Sequence, residues 1–143
     1  MQEYIDFIVR NPLLAAAWLG LLVALIYATI KSKFSPVKAV TSQGATLLIN
    51  RQQAVVVDVR NQDEYDKGHI AGSHHVPVSQ IDGNNLTVIE KFKANPIIVV
   101  CESGMRAGPA AAKLSKAGFQ QVFLLRGGLA DWRTENMPLT KKR

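Results

Sequence analysis

The sequence of 143 residues is short of cysteine and of charged residues, and each shortage excludes a class of protein. The single cysteine, Cys101, has no partner for an intramolecular disulfide, which excludes a disulfide-stapled secreted scaffold and a multi-cysteine zinc ribbon. Only 20% of the residues are charged and 48% are hydrophobic, which excludes a disordered chain. The length allows one ordinary domain, or a smaller domain with an appendage.

Lysine and arginine outnumber the acidic residues by 17 to 11, which gives a formal net charge of +6. Such an excess indicates an acidic partner, either a nucleic acid or a membrane surface. Nucleic-acid binding would require a basic stripe with interleaved aromatic residues, which the sequence lacks, so we predict no nucleic-acid partner. Part of the excess positive charge lies in two short basic groups. We interpret these groups as juxtamembrane charge that is attracted to anionic lipid. These groups are Lys31, Lys33 and Lys38, and then Lys141, Lys142 and Arg143.

One long apolar segment, residues 12–30, carries no charge over nineteen positions. As a helix it would be ~29 Å long at about 1.5 Å per residue, which matches a hydrocarbon core of roughly 30 Å. The alternatives are a buried core helix and a cleaved signal peptide. A signal peptide begins with basic residues and has a shorter apolar stretch, whereas Glu3 and Asp6 precede this one. We therefore predict an uncleaved transmembrane helix that contacts membrane lipid through residues 12–30.

The charges that flank this segment predict its orientation. Only Arg10 precedes the span, whereas three lysines follow it closely. The positive-inside rule then places the carboxyl side in the cytoplasm, with a single pass through the membrane. The predicted organisation is a short N-terminal tail at 1–11, the span at 12–30, a basic linker at 31–36, a folded domain at 37–138 and a basic C-terminal tail at 139–143.

The folded domain alternates short apolar runs with helical patterns. The predicted strands are 54–59, 97–100 and 121–125, with shorter extended pieces at 37–40 and 74–78. The predicted helices are 41–50 and 109–117, with helical or irregular turns over 79–92 and a last helical turn at 129–133. The continuous β-branched runs indicate strands that are covered on both faces. The alternation therefore predicts a three-layer α/β domain with a mainly parallel sheet.

The segment that follows strand 97–100 is the candidate catalytic site, because ligands of such sheets bind beyond the carboxyl ends of strands. It reads Cys-Glu-Ser-Gly-Met-Arg and runs directly into a helix. Such a loop directs backbone N–H groups inward, and the helix N-terminus adds partial positive charge; both favour a reactive thiolate. We predict Cys101 as the nucleophile. The predicted substrate-binding loop is Glu102, Ser103, Gly104, Met105 and Arg106.

Within this loop, Gly104 would allow the backbone to curl, and Arg106 would either lock the loop or grip an anionic substrate. The alternative interpretation is that Cys101 is a small buried residue that ends a core strand. Asp58 and Arg60 end a neighbouring strand, and we predict that each pairs with the other's neighbours to hold the loops, with Arg60 meeting Glu64.

The histidines favour no metal site. His74 and His75 would point to opposite faces of an extended segment, and the chain has only one cysteine, so we predict neither a metal nor a cofactor. We expect His69 to bond to backbone after Gly68 and Trp132 to pack in the core.

These motifs resemble those of single-domain rhodaneses. The loop Cys101-Glu-Ser-Gly-Met-Arg106 is similar to that family's C-x-x-G-x-R. Three further stretches resemble family motifs in the same order along the chain: Asp58-Val-Arg60 with Glu64-Tyr65, Gly68-His-Ile-Ala-Gly-Ser73, and Gly127-Gly-Leu-Ala-Asp-Trp132. With its anchor, the chain is similar to membrane-tethered rhodaneses of the bacterial inner membrane. The resemblance implies a rhodanese-like fold, sulfurtransferase activity and a persulfide on the cysteine.

In that chemistry, the Cys101 thiolate attacks the outer sulfur of a donor such as thiosulfate, and sulfite leaves. The amides of residues 102–106 would stabilise the persulfide anion. No second cysteine is available to resolve it, so the sulfur acceptor must be an external thiophile, either a small molecule or the thiol of a partner protein at the membrane. Glu102 is the unfavourable feature, because a carboxylate beside the nucleophile repels thiosulfate.

Two other functions are weighed against this one. A cysteine phosphatase or arsenate reductase of related fold needs five residues between cysteine and arginine, and this loop has four, which suits a sulfur atom better than a tetrahedral oxyanion. The second alternative is a membrane-tethered rhodanese-like binding module without turnover. The presence of both Cys101 and Arg106 argues against an idle site.

Overall fold

The structure is a computed structural model that describes residues 1–33 and 37–142. The chain forms two compact units, Met1–Ser35 and Pro36–Arg143. Of the predicted basic linker at 31–36, residues 34–36 lie outside the described residues, and so does Arg143 in the predicted basic tail.

The first unit consists of two helices, α1 (Gln2–Arg10) and α2 (Pro12–Lys33). None of the described side chains of Pro12–Ile30 is buried, although this stretch is strongly apolar. The helix is long and apolar enough to cross a membrane. Helix α1 was not foreseen in the N-terminal tail, yet its spacing is amphipathic, with Glu3, Asp6 and Arg10 on one side and apolar residues on the other.

The second unit is built on a five-stranded sheet in which every pairing is parallel. The strands are β1 (Val37–Val40), β2 (Val55–Asp58), β3 (His74–His75), β4 (Pro96–Val100) and β5 (Gln121–Leu125). Their spatial order is β1-β5-β4-β2-β3. The central strand β4 is buried along its whole length, as expected for a parallel sheet that is covered on both faces.

Helices cover both faces of this sheet and confirm the α/β prediction. Alternate residues of β4 point to opposite faces, so Ile97 and Val99 join one hydrophobic cluster while Ile98 and Val100 join the other. The helices of this unit are α3 (Ser42–Gln52), α4 (Gln62–Lys67), α5 (Val78–Asp82), α6 (Ala107–Lys116) and α7 (Gly128–Thr134), with a 3₁₀ turn at Glu90–Phe92. The first cluster contains residues of α5 and α6, and the second contains residues of α3 and α7.

Several element boundaries differ from the predicted ones for local reasons. Helix α6 begins at Ala107 rather than 109, because a proline at the third helical position displaces no intrahelical hydrogen bond. Strand β3 is only two residues long, since Pro77 ends the extended segment and α5 follows at once. Helix α4 was not predicted, although Asn61 and Glu64 have the spacing of a helix-capping box. Trp132 is buried, as predicted, and its indole N–H donates to the Pro138 carbonyl at 3.0 Å.

Candidate active site

Cys101 is the first residue after β4 and lies at the base of the loop that leads into α6. Its Sγ accepts a hydrogen bond from the backbone N–H of Gly104 at 2.9 Å. Gly104 has φ +96°, a left-handed conformation that glycine adopts at little cost, and this conformation lets the chain curl back over the sulfur. The loop therefore places a backbone donor on the sulfur atom, which is the arrangement that a thiolate or persulfide anion requires.

Cys101 is also fully buried, with 0% of its surface exposed. A reagent can reach Sγ only if the loop over it moves. At the tip of that loop, Ser103 and Met105 are exposed, and Met105 has 83% of its surface in solvent. The burial agrees with the alternative interpretation of Cys101 as the end of a core strand, whereas the Gly104 hydrogen bond agrees with the catalytic one.

Helix α7 supports the beginning of the loop through two backbone hydrogen bonds. The backbone N–H of Leu129 donates to the Cys101 carbonyl at 2.9 Å, and that of Ala130 donates to the Glu102 carbonyl at 3.0 Å. A Cβ on Gly128 would lie 2.4 Å from the Cys101 carbonyl oxygen, and the residue has φ +60°, so only glycine fits there. The Gly127-Gly128 pair, which the sequence analysis identified only as part of a motif, thus lies where α7 contacts the loop.

Arg106, at the end of the loop, binds Glu64 on α4. Its Nη1 and Nη2 donate to the two carboxylate oxygens, each at 2.8 Å, and one of these oxygens also accepts from the backbone N–H of Asn61 at 3.0 Å. The hydrogen bond from Arg106 is the main reason that the pKa of Glu64 falls to about 2, and partial burial opposes the shift. The same bond raises the pKa of Arg106, and the charge of Cys101 contributes. Of the two roles predicted for Arg106, the structure shows the locking contact.

Asp58 and Arg60 form a buried pair beneath the loop. Arg60 Nη2 donates to Asp58 Oδ2 at 2.7 Å and Nε donates to Oδ1 at 2.9 Å, while a third contact reaches the Gly68 carbonyl at 2.7 Å. The two residues are 0% and 1% exposed. Burial alone would lower the pKa of Arg60, but the hydrogen bond and charge of Asp58 raise it overall. The predicted contact between Arg60 and Glu64 was wrong, because Glu64 is bound to Arg106 and acts on Arg60 only through its charge. The structure also pairs Asp58 and Arg60 with each other, which was not predicted.

Glu102, next to Cys101, is held between two arginines. Its Oε2 lies 3.4 Å from Arg60 Nη1, and both carboxylate oxygens accept hydrogen bonds from the guanidinium of Arg133. The Glu102 side chain is 40% exposed. Sequence reasoning missed Arg133, which lies 31 residues away on α7, and no local pattern in the sequence pointed to it.

The histidines contribute to packing around α4. The ring of Tyr65 is stacked between those of His69 and His75, with centroid distances of 3.8 and 4.5 Å. His69 Nδ1 donates to the Tyr65 carbonyl at 2.8 Å, which confirms that His69 bonds to backbone. His74 lies against Phe92 instead, as expected for adjacent residues of a strand. In residues 1–33 and 37–142, no group of three His, Cys, Asp or Glu side chains is arranged to hold a metal ion.

A cleft of about 280 Å³ borders the loop at Arg106. Its walls are mostly apolar, and Asn61 and Ser79 add polar groups. The apolar part comprises Val59, Pro77, Val78 and Pro109.

Comparisons with known proteins agree with this architecture. The sequence profile of the rhodanese-like domain matches residues 42–135. An Escherichia coli (strain K12) chain named "Uncharacterized protein YibN" is 50% identical over 141 residues, which cover 99% of each chain. "Thiosulfate sulfurtransferase GlpE" of Pseudomonas fluorescens (strain SBW25) is 39% identical over 90 residues, which cover 60% of this chain and 76% of that one. The crystal structure of a rhodanese-related protein from Thermoplasma volcanium superposes with a TM-score of 0.63 at 27% identity, covering 73% of this chain and 99% of that one.

Proposed function

Because the chain belongs to the family of rhodanese-like domains, we propose that it is a sulfurtransferase that carries sulfane sulfur as a persulfide on Cys101. The observation that carries the proposal is the hydrogen bond from the Gly104 amide to Sγ at 2.9 Å. A backbone N–H that is fixed on the sulfur stabilises both the attacking thiolate and the persulfide anion that replaces it.

The reaction has two halves. In the first, the Cys101 thiolate attacks the outer sulfur of thiosulfate or another sulfane donor, the S–S bond of the donor breaks, and sulfite or the corresponding leaving group departs with the bonding electron pair. In the second, a thiophilic acceptor attacks the outer sulfur of the persulfide and regenerates the thiolate. The sequence contains one cysteine, so the acceptor is external, either a small thiol or a partner protein at the membrane.

The other loop residues position this sulfur. The bidentate contact between Arg106 and Glu64 fixes the end of the loop, and the amides of α7 fix its beginning. Substrate access requires displacement of residues 102–105, because Cys101 is fully buried. The exposed side chains of Ser103 and Met105 make the loop tip the part that meets donor and acceptor.

Mass spectrometry tests the proposal directly. The full chain, purified in detergent, is incubated with thiosulfate or another sulfane donor, desalted and weighed beside Cys101→Ser. We expect the mass of one extra sulfur atom on the wild-type chain alone, and its loss when cyanide or a thiol is added. The absence of an adduct with every sulfane donor would exclude the sulfurtransferase.

A second candidate function is a binding module without turnover, and the complete burial of Cys101 is the observation that favours it. Alkylation separates the two candidates. A catalytic cysteine under a mobile loop reacts with iodoacetamide in the folded protein at mild pH, and the reaction slows when sulfur occupies the site. If Cys101 reacts only after denaturation, the binding module is the better description.

We further propose that α2 anchors the protein in the bacterial inner membrane by a single pass, with the domain in the cytoplasm. Exposed apolar side chains along Pro12–Ile30 support the anchor, and the lysines that follow the span support the orientation. The amphipathic α1 could lie on the outer face of the inner membrane. Protease added to intact spheroplasts should then spare the domain, whereas digestion of the domain would reverse the orientation.

A further inference from the structure

The charges that surround Cys101 are balanced among protein side chains. Three guanidinium groups and three carboxylates meet around the loop, and each of them has a partner of opposite sign within 3.4 Å. The pairs are Arg60 with Asp58 and with Glu102, Arg133 with Glu102, and Arg106 with Glu64.

This balance is unfavourable for a doubly charged donor. Each of these three arginines already binds a carboxylate, so a dianion such as thiosulfate would have to compete with that carboxylate for its guanidinium. Glu102 adds direct repulsion, because it is adjacent to Cys101 in the chain and 40% exposed, and the repulsion of a dianion is twice that of a monoanion at the same distance.

We propose, on the premise of the sulfurtransferase function above, that Glu102 is a specificity-determining residue that makes the site prefer persulfide donors with little local charge over thiosulfate. The donor class is an organic persulfide that reacts in its protonated form, R–S–SH, because the outer sulfur of R–S–S⁻ is electron-rich and does not accept attack by a thiolate. The Cys101 thiolate attacks its outer sulfur and forms a new S–S bond, while the original S–S bond breaks and R–S⁻ leaves with the electron pair. The Sγ of Cys101 then carries one –SH group. The proton stays on the transferred sulfur, and no external oxidant or reductant is needed.

The cleft beside the loop suits the organic part of such a donor. It borders the loop at Arg106, and its mostly apolar walls can contact a carbon chain, which thiosulfate does not have. Asn61 and Ser79 can bond to amide or carboxylate groups of a thiol-bearing carrier.

The test compares two donors on the full chain in detergent. The rate of persulfide formation on Cys101 is measured with thiosulfate and with glutathione persulfide. The readout is the ratio of the two kcat/KM values, because a variant that damages the site in general lowers both values and leaves their ratio unchanged. Glu102→Gln removes one charge at nearly constant shape and frees Arg133. We expect the ratio to shift toward thiosulfate by roughly tenfold through a lower KM, the size expected when one like charge near a dianion is removed.

Two further variants control this result. Arg133→Gln leaves Glu102 less neutralised and should shift the ratio in the opposite direction, by roughly threefold. Glu135→Gln removes an exposed carboxylate just after α7 and should leave the ratio unchanged. Added salt should reduce the thiosulfate rate of Glu102→Gln more than that of the wild type, because its gain is electrostatic.

The outcomes separate this inference from the function on which it rests. If both donors load Cys101 and the ratio is the same in wild type and Glu102→Gln, the specificity role is wrong while the sulfurtransferase stands. If Glu102→Gln and Arg133→Gln both slow loading from both donors equally, Glu102 is only structural. If neither donor loads the wild type, the sulfurtransferase itself fails, and the inference with it.

Discussion

Two arginine–carboxylate pairs lie close to the loop that follows Cys101, and they differ chiefly in their access to water. The floor pair, Asp58 and Arg60, is 0% and 1% exposed, whereas the rim pair, Glu64 and Arg106, is 33% and 39% exposed. Their geometry is similar, since each is bidentate with contacts of 2.7 to 2.9 Å.

Burial gives the same interaction two different consequences. In the floor pair, each charge has left water, so loss of one partner leaves an uncompensated buried charge. In the rim pair, water can replace a lost partner, so the contact contributes little to stability and mainly fixes the position of Arg106. We therefore expect the floor to govern folding and the rim to govern the geometry of the loop.

The largest predicted effect is at the floor. Arg60→Met should lower the free energy of unfolding by about 3–5 kcal/mol, because the Asp58 carboxylate is then buried without its partner. Urea unfolding of the full chain in detergent measures this loss. A Trp18→Phe background leaves the buried Trp132 as the fluorescent reporter of the second unit. A loss under about 1 kcal/mol would mean that water reaches the floor.

The double variant Asp58→Asn/Arg60→Met is the matched control. It removes both charges, so the uncompensated carboxylate disappears and the double variant should be more stable than Arg60→Met alone. Recovery should be incomplete, because the Gly68 carbonyl still loses the hydrogen bond from Arg60. Equal stability of the single and double variants would show that lost packing, rather than buried charge, is the cause.

The rim pair should show a smaller effect with a defined pH dependence. Arg106 lowers the pKa of Glu64 from an ordinary 4.5 to about 2, so the pair contributes fully above about pH 4.5 and its contribution is lost as the pH falls toward 2. Because a third of the Glu64 side chain is exposed, we expect Glu64→Gln to cost only about 0.5–1 kcal/mol at pH 7. The unfolding free energies of wild type and Glu64→Gln should converge as the pH falls from 4.5 to 2, and a constant difference would contradict the assignment.

The two pairs also differ in how far the sequence could predict them. Asp58 and Arg60 were predicted to support the site because they end a strand beside it. Their mutual contact was not predicted, although it could have been, since residues two apart on an extended chain share a face. The partners of the rim lie 42 residues apart, and no local pattern links residues at that distance. Arg133 and Glu102 are also far apart in the sequence, and only the packing of α7 against the loop brings them together.

Elements that depend on local pattern were predicted best. The helix over Pro12–Ile30 and the buried strands follow from uninterrupted hydrophobic runs, and a parallel sheet that is covered on both faces buries such strands. The amphipathic pattern of α1 was present but was assigned to a tail. The sequence offered a buried Cys101 only as one of two alternatives, and it could not decide between them because burial depends on how residues 102–106 fold over the sulfur.

The smallest predicted effect is at a third pair, Asp82 and Lys113, which lies away from the loop. The two side chains are 51% and 52% exposed, and the lysine joins the carboxylate by a single contact instead of the arginine fork. Asp82 is the last residue of α5, where the helix dipole disfavours a negative charge. Removing this charge therefore also removes an unfavourable interaction, which offsets part of the lost ion pair. Asp82→Asn should therefore change the free energy of unfolding by less than about 0.5 kcal/mol and leave persulfide formation unaltered.

Asp82→Asn also calibrates the series, because it removes one carboxylate just as Glu64→Gln does. If stability depends on the environment of each pair, the losses rank floor, rim and then Asp82, in the order of increasing exposure. Equal losses for Asp82→Asn and Glu64→Gln would mean that the bidentate contact of Arg106 adds nothing beyond an ordinary surface ion pair. In that case Glu64 would not fix the loop, and Glu64→Gln should form the Cys101 persulfide at the wild-type rate.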